Sequence, residues 1–293
     1  MKRLVLAYNP VSGHAALKRK LDWIIKEFQK RGCIIIPYRT LRHNHHFAEF
    51  VRDVQPQGII AAGGDGTVHE IVNLVVKNEL RLPVGIIGSG TSNDFATYLH
   101  INDDYDAYFD AIAADSTRLV DLGKVGEEYF INVASAGVMT GIAHEVPPRL
   151  KNALGKFAYY LRGIGEIPKM RAAHFQMEAD GTPYEFDAFL FLVVNSATVA
   201  SFKDILPCAE IDDGKLDFLA VKKTNVAQVM RLSTDLFAGR PVFDLPSIFH
   251  VQASRFTVTA DAELSGDLDG EAGPMLPMEI TTAPRAVEIY CFT

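Results

Sequence analysis

The sequence predicts an α/β N-terminal domain with a doubly wound, mostly parallel sheet, followed by a C-terminal antiparallel β-sandwich domain. Three observations support this fold class. The 293 residues are enough for about two domains. Apolar strand patterns alternate with helical patterns over the first 125 or so residues, which is typical of a parallel sheet with crossover helices. After that point strand patterns alternate with Asp-Gly turns, which indicate antiparallel hairpins.

The elements of the first domain follow from hydrophobic periodicity. Short apolar runs predict strands at residues 4–8, 34–36, 59–62 and 84–87. Apolar residues three and four positions apart predict helices at residues 15–31, 47–54, 68–76, 94–99 and 105–114. We place the boundary of this domain at residues 1–125, and a last strand at about 284–293 is expected to return to it.

The second domain is predicted over residues 126–283. Its strands are expected at residues 129–134, 175–179, 184–194, 216–221, 255–259 and 278–280, before the final strand at 286–290. Helical insertions are expected at about 150–164 and 225–238. The dipeptides Asp180-Gly181, Asp213-Gly214 and Asp269-Gly270 are turn signals, because both residue types tolerate a positive φ.

Composition excludes several classes of protein. A net charge of −7 argues against nucleic acid as a partner. The cysteines Cys33, Cys208 and Cys291 are far apart and form no CxxC pair, which favours a reducing, cytoplasmic setting without disulfides. The longest apolar run, residues 188–194, is too short to span a bilayer. We expect a cytoplasmic protein that touches a membrane, if at all, from its inner face.

Glycine-rich segments follow three of the predicted strands. They are "NPVSG" from Asn9, "GGDGT" from Gly63 and "GSGTSND" from Gly88. The carboxyl ends of parallel strands meet at one edge of a sheet, where ligands bind. Glycine lets a ligand approach the backbone, and a helix N-terminus favours a phosphate. We therefore predict a phosphate site, with ordinary strand-to-helix turns as the alternative. Neither a Walker A motif nor a complete GxGxxG is present.

Five motifs in order then identify a family resemblance: "YNPVSG", "GGDGTVHE", "GIIGSGTSNDFA", "DLGKV" at 121–125 and "DGE" at 269–271. Together they resemble the diacylglycerol kinase catalytic family in its soluble bacterial form, which includes sphingosine and ceramide kinases and is distantly related to NAD kinases. The resemblance covers nearly the whole chain. It implies a lipid kinase that uses ATP and Mg²⁺ to phosphorylate a lipid hydroxyl, with diacylglycerol as the leading acceptor and phosphatidic acid as the product.

The resemblance also implies roles for individual residues. Glu271 would be the general base, and Asp65 and Asp121 would act in the magnesium network of the reaction. The nucleotide pocket would be formed by Asn9, Pro10, Ser12, Gly13, Thr40, Gly63, Gly64, Asp65, Gly66, Thr67 and Thr91. A structural magnesium loop would be formed by Glu210, Asp213 and Lys215, the lysine through its carbonyl oxygen. The chain departs from the family at His69, where an asparagine is usual.

The chemistry is consistent with these residue types. Mg²⁺ prefers carboxylate, phosphate and water oxygens, so Asp65 and Asp121 are suitable indirect ligands. Phosphoryl transfer depends on positioning and charge neutralisation more than on covalent catalysis. Glu271 cannot deprotonate an alcohol beforehand, since its pKa is about 4.3, but it can accept the proton late in the transition state.

The acceptor and the membrane contact stay open at this point. Another glycerolipid, a sphingoid base, a polyprenol or NAD are alternative acceptors, and a non-catalytic nucleotide-binding protein is the third hypothesis. Residues 149–171 carry six basic residues and one acidic residue, and their apolar residues fall on one helical face. That pattern fits a helix lying on an anionic membrane surface, or alternatively a stripe that packs on the sandwich.

Overall fold

The computed structural model describes residues 1–12, 16–41, 44–90, 92–137 and 172–292. The chain divides into two compact units: a first unit of residues 1–122 with 284–293, and a second unit of residues 123–283. The predictions for Gly13, Thr91, the helix at 150–164 and the basic segment 149–171 lie outside the described residues.

The first unit is organised around parallel strands. They are β1 (Lys2–Tyr8), β2 (Cys33–Arg39), β3 (Gly58–Gly63) and β4 (Val84–Gly88). β1 pairs with both β2 and β3, β3 pairs with β4, and all three pairings are parallel. Every residue of β3 is buried, as expected for a parallel strand covered on both faces.

Five helices of the first unit are described, and aromatic side chains pack two of them together. They are α1 (Ala16–Lys30), α2 (Phe47–Val54), α3 (Asp65–Lys77), α4 (Asp94–Tyr98) and α5 (Tyr105–Ala113). Trp23 and Phe28 of α1 pack on Phe109 of α5, with ring centroids 5.3 and 4.7 Å apart. The predicted helix at 47–54 is confirmed with the same limits.

Eleven further strands are described, and their pairings within the second unit are antiparallel. They are β5 (Thr117–Val125), which starts in the first unit, β6 (Glu128–Phe130), β7 (Val133–Gly137), β8 (Ala173–Ala179), β9 (Thr182–Val194), β10 (Leu216–Lys222), β11 (Ile248–Ala253), β12 (Arg255–Ala260), β13 (Ser265–Leu268), β14 (Glu271–Met275) and β15 (Met278–Tyr290). The main strand order is β14-β13-β7-β9-β8-β12-β15, and β10 joins β9 to β11. The helix α6 (Val226–Phe237) begins after Asn225, whose side chain accepts a hydrogen bond from Gln228 N at 3.0 Å.

Two apolar clusters stabilise the second unit. The larger is aromatic and contains the fully buried Phe175, Phe191, Phe218 and Phe256. The smaller joins α6 and the segment between β9 and β10 to the opposite face of β10, and includes Leu206, Leu219, Leu232 and Ile248. β10 is therefore covered on both faces, which explains its nearly unbroken apolar sequence.

The predicted fold class is confirmed, and the differences from prediction are local. The strand predicted at 129–134 is interrupted, because β6 ends at Phe130 and β7 begins at Val133. The strands predicted at 278–280 and 286–290 are parts of β15, which pairs antiparallel with β12 at one end and parallel with β4 at the other. β5, β11, β13 and β14 had no predicted counterpart.

Candidate functional site

The glycine-rich loops of the first unit meet where the sheet reverses its winding. β1 lies between β2 and β3, so the crossover from β1 to β2 and the next one, to β3, run in opposite directions along the sheet. The loops that follow β1, β3 and β4 all leave from the carboxyl edge of this sheet. In doubly wound sheets this switch point is the usual place for a ligand.

The loop after β1 is tied to its neighbours through Asn9. The amide N–H of Asn9 donates to the carbonyl of Ala62 at 2.9 Å, and its Nδ2 donates to Oγ1 of Thr67 at 3.3 Å. Ser12 N donates to the Asn9 carbonyl at 3.3 Å and closes a turn over Pro10. The predicted nucleotide residues Asn9 and Thr67 are thus in contact. Thr40 lies at the end of β2, where its N–H and hydroxyl both donate to the Tyr8 carbonyl, at 2.9 and 3.2 Å.

Gly64 and Gly90 bring the loops after β3 and β4 into backbone contact. A Cβ placed on Gly90 would lie 2.6 Å from the Cα of Gly64, and a Cβ on Gly64 would lie 3.3 Å from the Cα of Gly90 and 3.4 Å from Oγ of Ser12. A Cβ on Gly63 would overlap the side chain of Thr67. Close packing therefore requires glycine at two predicted positions, Gly63 and Gly64, and at Gly90, which sequence analysis did not single out.

Asp65 links the same two loops through its carboxylate. Oδ2 accepts from the backbone N–H of Asn93 at 3.0 Å, and Oδ1 accepts from that of Asp94 at 2.9 Å. Asn93 in turn closes on Gly90, accepting from its N–H at 2.9 Å and donating to its carbonyl at 3.0 Å. Asp65 thus holds the start of α4 in place. Its role in a magnesium network stays a prediction.

The start of α3 suits a phosphate group. Its N-cap Gly64 supplies no side-chain acceptor to the first-turn N–H groups, and Gly66 and Thr67 lie in this turn, with Thr67 N bonding the Gly64 carbonyl at 2.9 Å. The buried Ser89 hydroxyl also has no hydrogen-bond partner among the described residues. First-turn N–H groups without a cap and an unused hydroxyl beside glycine backbone are the donors that a bound phosphate needs.

Asp121 is a fully buried carboxylate of the first unit. It lies on β5, and its Oδ1 accepts from the backbone N–H of Arg285 at 2.6 Å. Arg285 has a φ of +49°. A positive φ is uncommon for residues other than glycine, so fixed local contacts must stabilise it here. Asp121 therefore anchors the last strand at this point. Whether it also acts on magnesium, as the resemblance implies, stays a prediction.

Asp94 is a candidate residue that sequence analysis missed. It follows β4, begins α4 and is 8% exposed, so its carboxylate is nearly as buried as that of Asp121. The signal was its place in the "GTSND" motif, directly at a predicted helix start. His69, the departure from the family, lies one turn from Asn73 on α3, and its carbonyl accepts from Asn73 Nδ2 at 3.0 Å.

Tyr105 holds the carboxyl end of β4 through its hydroxyl group. Its hydroxyl donates to the Gly88 carbonyl at 3.2 Å and to Oδ1 of Asn102 at 2.7 Å. Burial raises the pKa of Tyr105, and its hydrogen bond with the Gly88 backbone opposes this shift only in part. The phenol therefore stays a hydrogen-bond donor at neutral pH, which fixes the end of β4.

Glu271 lies in the second unit, directly after a two-residue hairpin. Asp269 and Gly270 join β13 to β14 with φ values of +53° and +90°, which define a type I′ turn. The Asp269 carboxylate accepts from three backbone N–H groups, those of Ile131, Asn132 and Val133, at 2.8, 2.9 and 2.9 Å. This is why β6 and β7 are separate strands. Glu271 itself is exposed at the start of β14.

A buried polar network supports the Asp269 turn. Asn132 donates to the Thr198 carbonyl at 3.0 Å and contacts the hydroxyl of Ser196, and Asn195 donates to the Ile131 carbonyl at 2.9 Å. All five of these residues are at most 5% exposed. Since buried amides and hydroxyls are costly unless paired, the network fixes the backbone that Asp269 binds.

The residues of the predicted magnesium loop lie in the segment directly before β10. Glu210, Asp213 and Lys215 are exposed, and Asp213 Oδ1 accepts from Lys215 N at 2.9 Å. Asp213 Oδ2 accepts from Nε2 of Gln252 at 3.0 Å. The donors on offer are carboxylate and carbonyl oxygens, which match the preference of Mg²⁺. Metal binding by this loop stays a prediction.

No helix in the described part of the chain is both long and apolar enough to cross a bilayer.

Comparison with known proteins covers both units. A model of the diacylglycerol kinase catalytic domain matches residues 3–125, and a model of the YegS C-terminal NAD kinase beta sandwich-like domain matches residues 132–291. A Bacillus subtilis protein named diacylglycerol kinase is 34% identical over 99% of this chain and 96% of its own length. A Staphylococcus haemolyticus protein of the same name is 34% identical over 97% and 86%, respectively.

Solved structures agree with this result. A crystal structure of a diacylglycerol kinase from Bacillus anthracis superposes with a TM-score of 0.79 at 25% identity, over 99% of this chain and 97% of that one. Another structure from the same organism reaches a TM-score of 0.84 at 24% identity, over 99% and 95% of the two chains, which shows a shared fold.

Proposed function

This chain belongs to the diacylglycerol kinase catalytic-domain family, and we propose that it transfers the γ-phosphate of ATP to the hydroxyl of diacylglycerol, giving phosphatidic acid. Membership makes it a lipid kinase, a phosphotransferase with an alcohol acceptor. The finer proposal concerns the donor, the acceptor and the residues that act on them. The names of the relatives support diacylglycerol as the acceptor.

The contact between Gly64 and Gly90 carries the proposal for a nucleotide phosphate in the first unit. The two glycine loops touch backbone to backbone at the switch point of a doubly wound sheet. The uncapped start of α3 and the buried Ser89 hydroxyl supply donors beside them. Asn9 and Thr67 would line the pocket. Ser12 would line it as well, because a Cβ placed on Gly64 would lie 3.4 Å from the Ser12 hydroxyl oxygen.

ATP would supply the transferable phosphoryl group, and Mg²⁺ would neutralise charge on its oxygens. The chain's own contribution is positioning. Asp65 holds the loops after β3 and β4 at a fixed separation through the backbone of Asn93 and Asp94. A misplacement of about 1 Å in such a frame costs about 10²-fold in rate. The buried carboxylates of Asp94 and Asp121 would orient the magnesium-bound water, as their oxygen donors suit.

Glu271 would hold the acceptor hydroxyl and take its proton. Among the described residues its exposed carboxylate accepts no backbone hydrogen bond, because Asp269 accepts those of the same turn. As the oxygen of the acceptor bonds to the γ-phosphorus and the bond from that phosphorus to the leaving ADP breaks, the proton would pass to Glu271. General-base assistance of this kind contributes about 10²- to 10⁴-fold.

The experiment is transfer of labelled γ-phosphate from magnesium ATP into lipids in mixed micelles. The panel contains diacylglycerol, monoacylglycerol, ceramide, sphingosine and a polyprenol, with NAD as a soluble acceptor. We expect label in diacylglycerol. NAD is included because "GGDGT" also occurs in NAD kinases and the second unit matches an NAD kinase-like sandwich model. Label in NAD alone, or in a different lipid, would overturn the proposed acceptor.

Three variants separate the proposed roles. Glu271→Gln should lower kcat by about 10²-fold or more and leave the KM for ATP nearly unchanged. Glu263→Gln, which changes an exposed carboxylate of the same unit, is the matched control and should keep full activity. Gly90→Ala should raise the KM for ATP, because the new Cβ pushes the two phosphate loops apart. Full activity of Glu271→Gln would remove it from the mechanism.

The membrane contact also stays a proposal. Residues 149–171, with their excess of basic residues, would bring the enzyme to anionic lipid. Binding to vesicles containing phosphatidylglycerol should therefore fall as salt rises. Charge reversal of Lys151 and Lys156 should weaken that binding and raise the apparent KM for the lipid without changing the KM for ATP.

A further inference from the structure

A cysteine, an aspartate and a histidine meet in the second unit. One ligand atom each from Cys208, Asp217 and His250 lie within 4.8 Å of one another. His250 Nε2 and Asp217 Oδ1 are 2.7 Å apart. These three residues play no part in the kinase site proposed above.

The antiparallel pairing of β10 with β11 brings two of the three together. Asp217 lies opposite Gln252, and Leu219 lies opposite His250. Alternate residues of a strand share a face, so Asp217 and His250 are diagonal neighbours on one face of this pair. Cys208 comes from the segment before β10, next to Ala209, which packs in the same apolar cluster as Leu219. Three separate parts of the chain thus converge by folding alone.

The Asp217 carboxylate is unusually buried for its number of partners. It is 2% exposed, and among the described residues its hydrogen bonds are the one with His250 and a long one of 3.5 Å from Gln252. Gln252 donates at a shorter distance, 3.0 Å, to Asp213. Taking a carboxylate out of water is costly unless strong partners replace the solvent. A cation at this position would compensate for the burial far better than one imidazole.

We propose that Cys208, Asp217 and His250 bind a divalent transition metal, with Zn²⁺ as the leading candidate. Thiolate, imidazole and carboxylate are the ligand types that zinc prefers, and thiolate disfavours Mg²⁺ and Ca²⁺. In a tetrahedral site with metal–ligand distances of about 2.0–2.3 Å, neighbouring ligand atoms lie about 3.3–3.7 Å apart. The three ligand atoms, all within 4.8 Å of one another, are already close to that spacing.

The proposed zinc site is separate from the predicted magnesium loop of Glu210, Asp213 and Lys215. That loop offers oxygen atoms and is exposed, whereas the zinc site adds sulfur and nitrogen and contains a buried carboxylate. Bound zinc would join the segment before β10 to the β10–β11 pair. The metal would therefore stabilise this corner of the second unit rather than take part in phosphoryl transfer.

The chain contains a matched pair without the third ligand. His174 and Asp187 are 3.0 Å apart on the β8–β9 hairpin, about the separation of His250 and Asp217. Within the described residues, Cys208, Asp217 and His250 are the one group of three with suitable spacing. A histidine–aspartate pair alone is thus available as an internal control.

The experiment is zinc binding to the full-length protein after removal of metals with a chelator and dialysis against Zn²⁺ with millimolar Mg²⁺ present. Elemental analysis should give one zinc per chain. Co²⁺ in its place should show the near-ultraviolet charge-transfer band of a cobalt–thiolate bond. Cys208→Ser, Asp217→Asn and His250→Gln should each weaken zinc binding by at least about 10-fold, and Cys208→Ser should abolish the band. His174→Gln and Asp213→Asn should change neither.

A second readout needs no variant. Cys208 is exposed whereas Cys33 and Cys291 are buried, so iodoacetamide should label Cys208 first. Zinc should protect it, and Mg²⁺ should not. Absence of protection, or zinc binding that survives both Cys208→Ser and His250→Gln, would overturn the proposal. Binding that is lost in Asp213→Asn but retained in Cys208→Ser would move the metal to the magnesium loop and would also overturn it.

Discussion

Two hairpins of the second unit share the same Asp-Gly turn but differ in surroundings. Asp180-Gly181 joins β8 to β9 and Asp269-Gly270 joins β13 to β14, with φ values of +45° and +86° in the first and +53° and +90° in the second. Both aspartates accept hydrogen bonds from distant backbone N–H groups. Asp180 is exposed, whereas Asp269 is 8% exposed and borders the polar network of Asn132.

An Asp-Gly dipeptide predicts the backbone geometry of a turn but not the surroundings of its carboxylate. The dipeptide predicts the type I′ turn in both hairpins, because both positions need a positive φ. It does not indicate that one carboxylate is buried against strands more than 130 residues away in sequence. The turn with the buried carboxylate is the one followed by Glu271. We infer that rigidity at the proposed base is supplied by burial, and the predictions below test that inference.

The largest effect is expected for Asp269→Asn. The change removes the negative charge of the group that accepts three hydrogen bonds. It also replaces one carboxylate oxygen by an amide NH₂, so at least one buried backbone N–H loses its acceptor. The second unit should lose about 3 kcal/mol of unfolding free energy, and kcat should fall with it. Urea unfolding and the transfer assay measure the two. Asp180→Asn is the matched control, with an expected loss of about 1 kcal/mol and unchanged kcat. Equal losses of unfolding free energy in the two variants would contradict burial of the Asp269 carboxylate as the cause of the larger effect.

The second-largest effect is expected for alanine at the turn glycines, where loss of stability from backbone strain can be compared with loss of kcat. Gly181→Ala and Gly270→Ala both introduce a Cβ at a positive φ with no atom within 4 Å of it. Each should therefore lower the unfolding free energy by about 1 kcal/mol, and by similar amounts. Only Gly270→Ala should lower kcat, since it shifts the start of β14 that carries Glu271. Loss of kcat in both variants would indicate a general effect of instability.

The sequence predicted most of the first unit and less of the second, for a physical reason. The helix at 47–54 and the glycine-rich loops after β1, β3 and β4 depend on local periodicity and on glycine within a short stretch. The break between β6 and β7 depends on Asp269, which is contributed from 136 residues beyond Val133. No local pattern contains that information, so residues 129–134 read as one strand.

The same reason explains which candidate residues were found. Asn9, Gly64 and Thr67 lie in short motifs, and the fold brings these motifs together. Cys208, Asp217 and His250 carry no recognisable spacing, because strand register and a loop define their contact. Gly90 and Asp94 lay inside a recognised motif, and their roles became visible only once the loops after β3 and β4 were in contact.

A third prediction uses the pH dependence of Asp180. Hydrogen bonds from the Ser254 backbone lower the pKa of Asp180, and the Ser254 side chain and the Arg255 backbone add to this effect. Its contribution to stability is therefore present above the unfolded pKa of about 3.9 and lost as pH falls through the lower folded value. The difference in unfolding free energy between wild type and Asp180→Asn should shrink as pH falls below about 4. A difference that grows on acidification would contradict the assignment.

The smallest effect concerns the other end of the β8–β9 hairpin. A hydrogen bond with the exposed Asp187 raises the pKa of His174. The pair therefore contributes to stability below the unfolded histidine pKa of about 6.5, and that contribution is lost as pH rises through the folded value. An NMR titration should place the pKa of His174 above about 6.5 in the wild type and lower in Asp187→Asn. Glu185→Gln, which removes a weaker influence, should shift it less. An unchanged pKa in Asp187→Asn would contradict the hydrogen bond with Asp187 as the main cause of the shift.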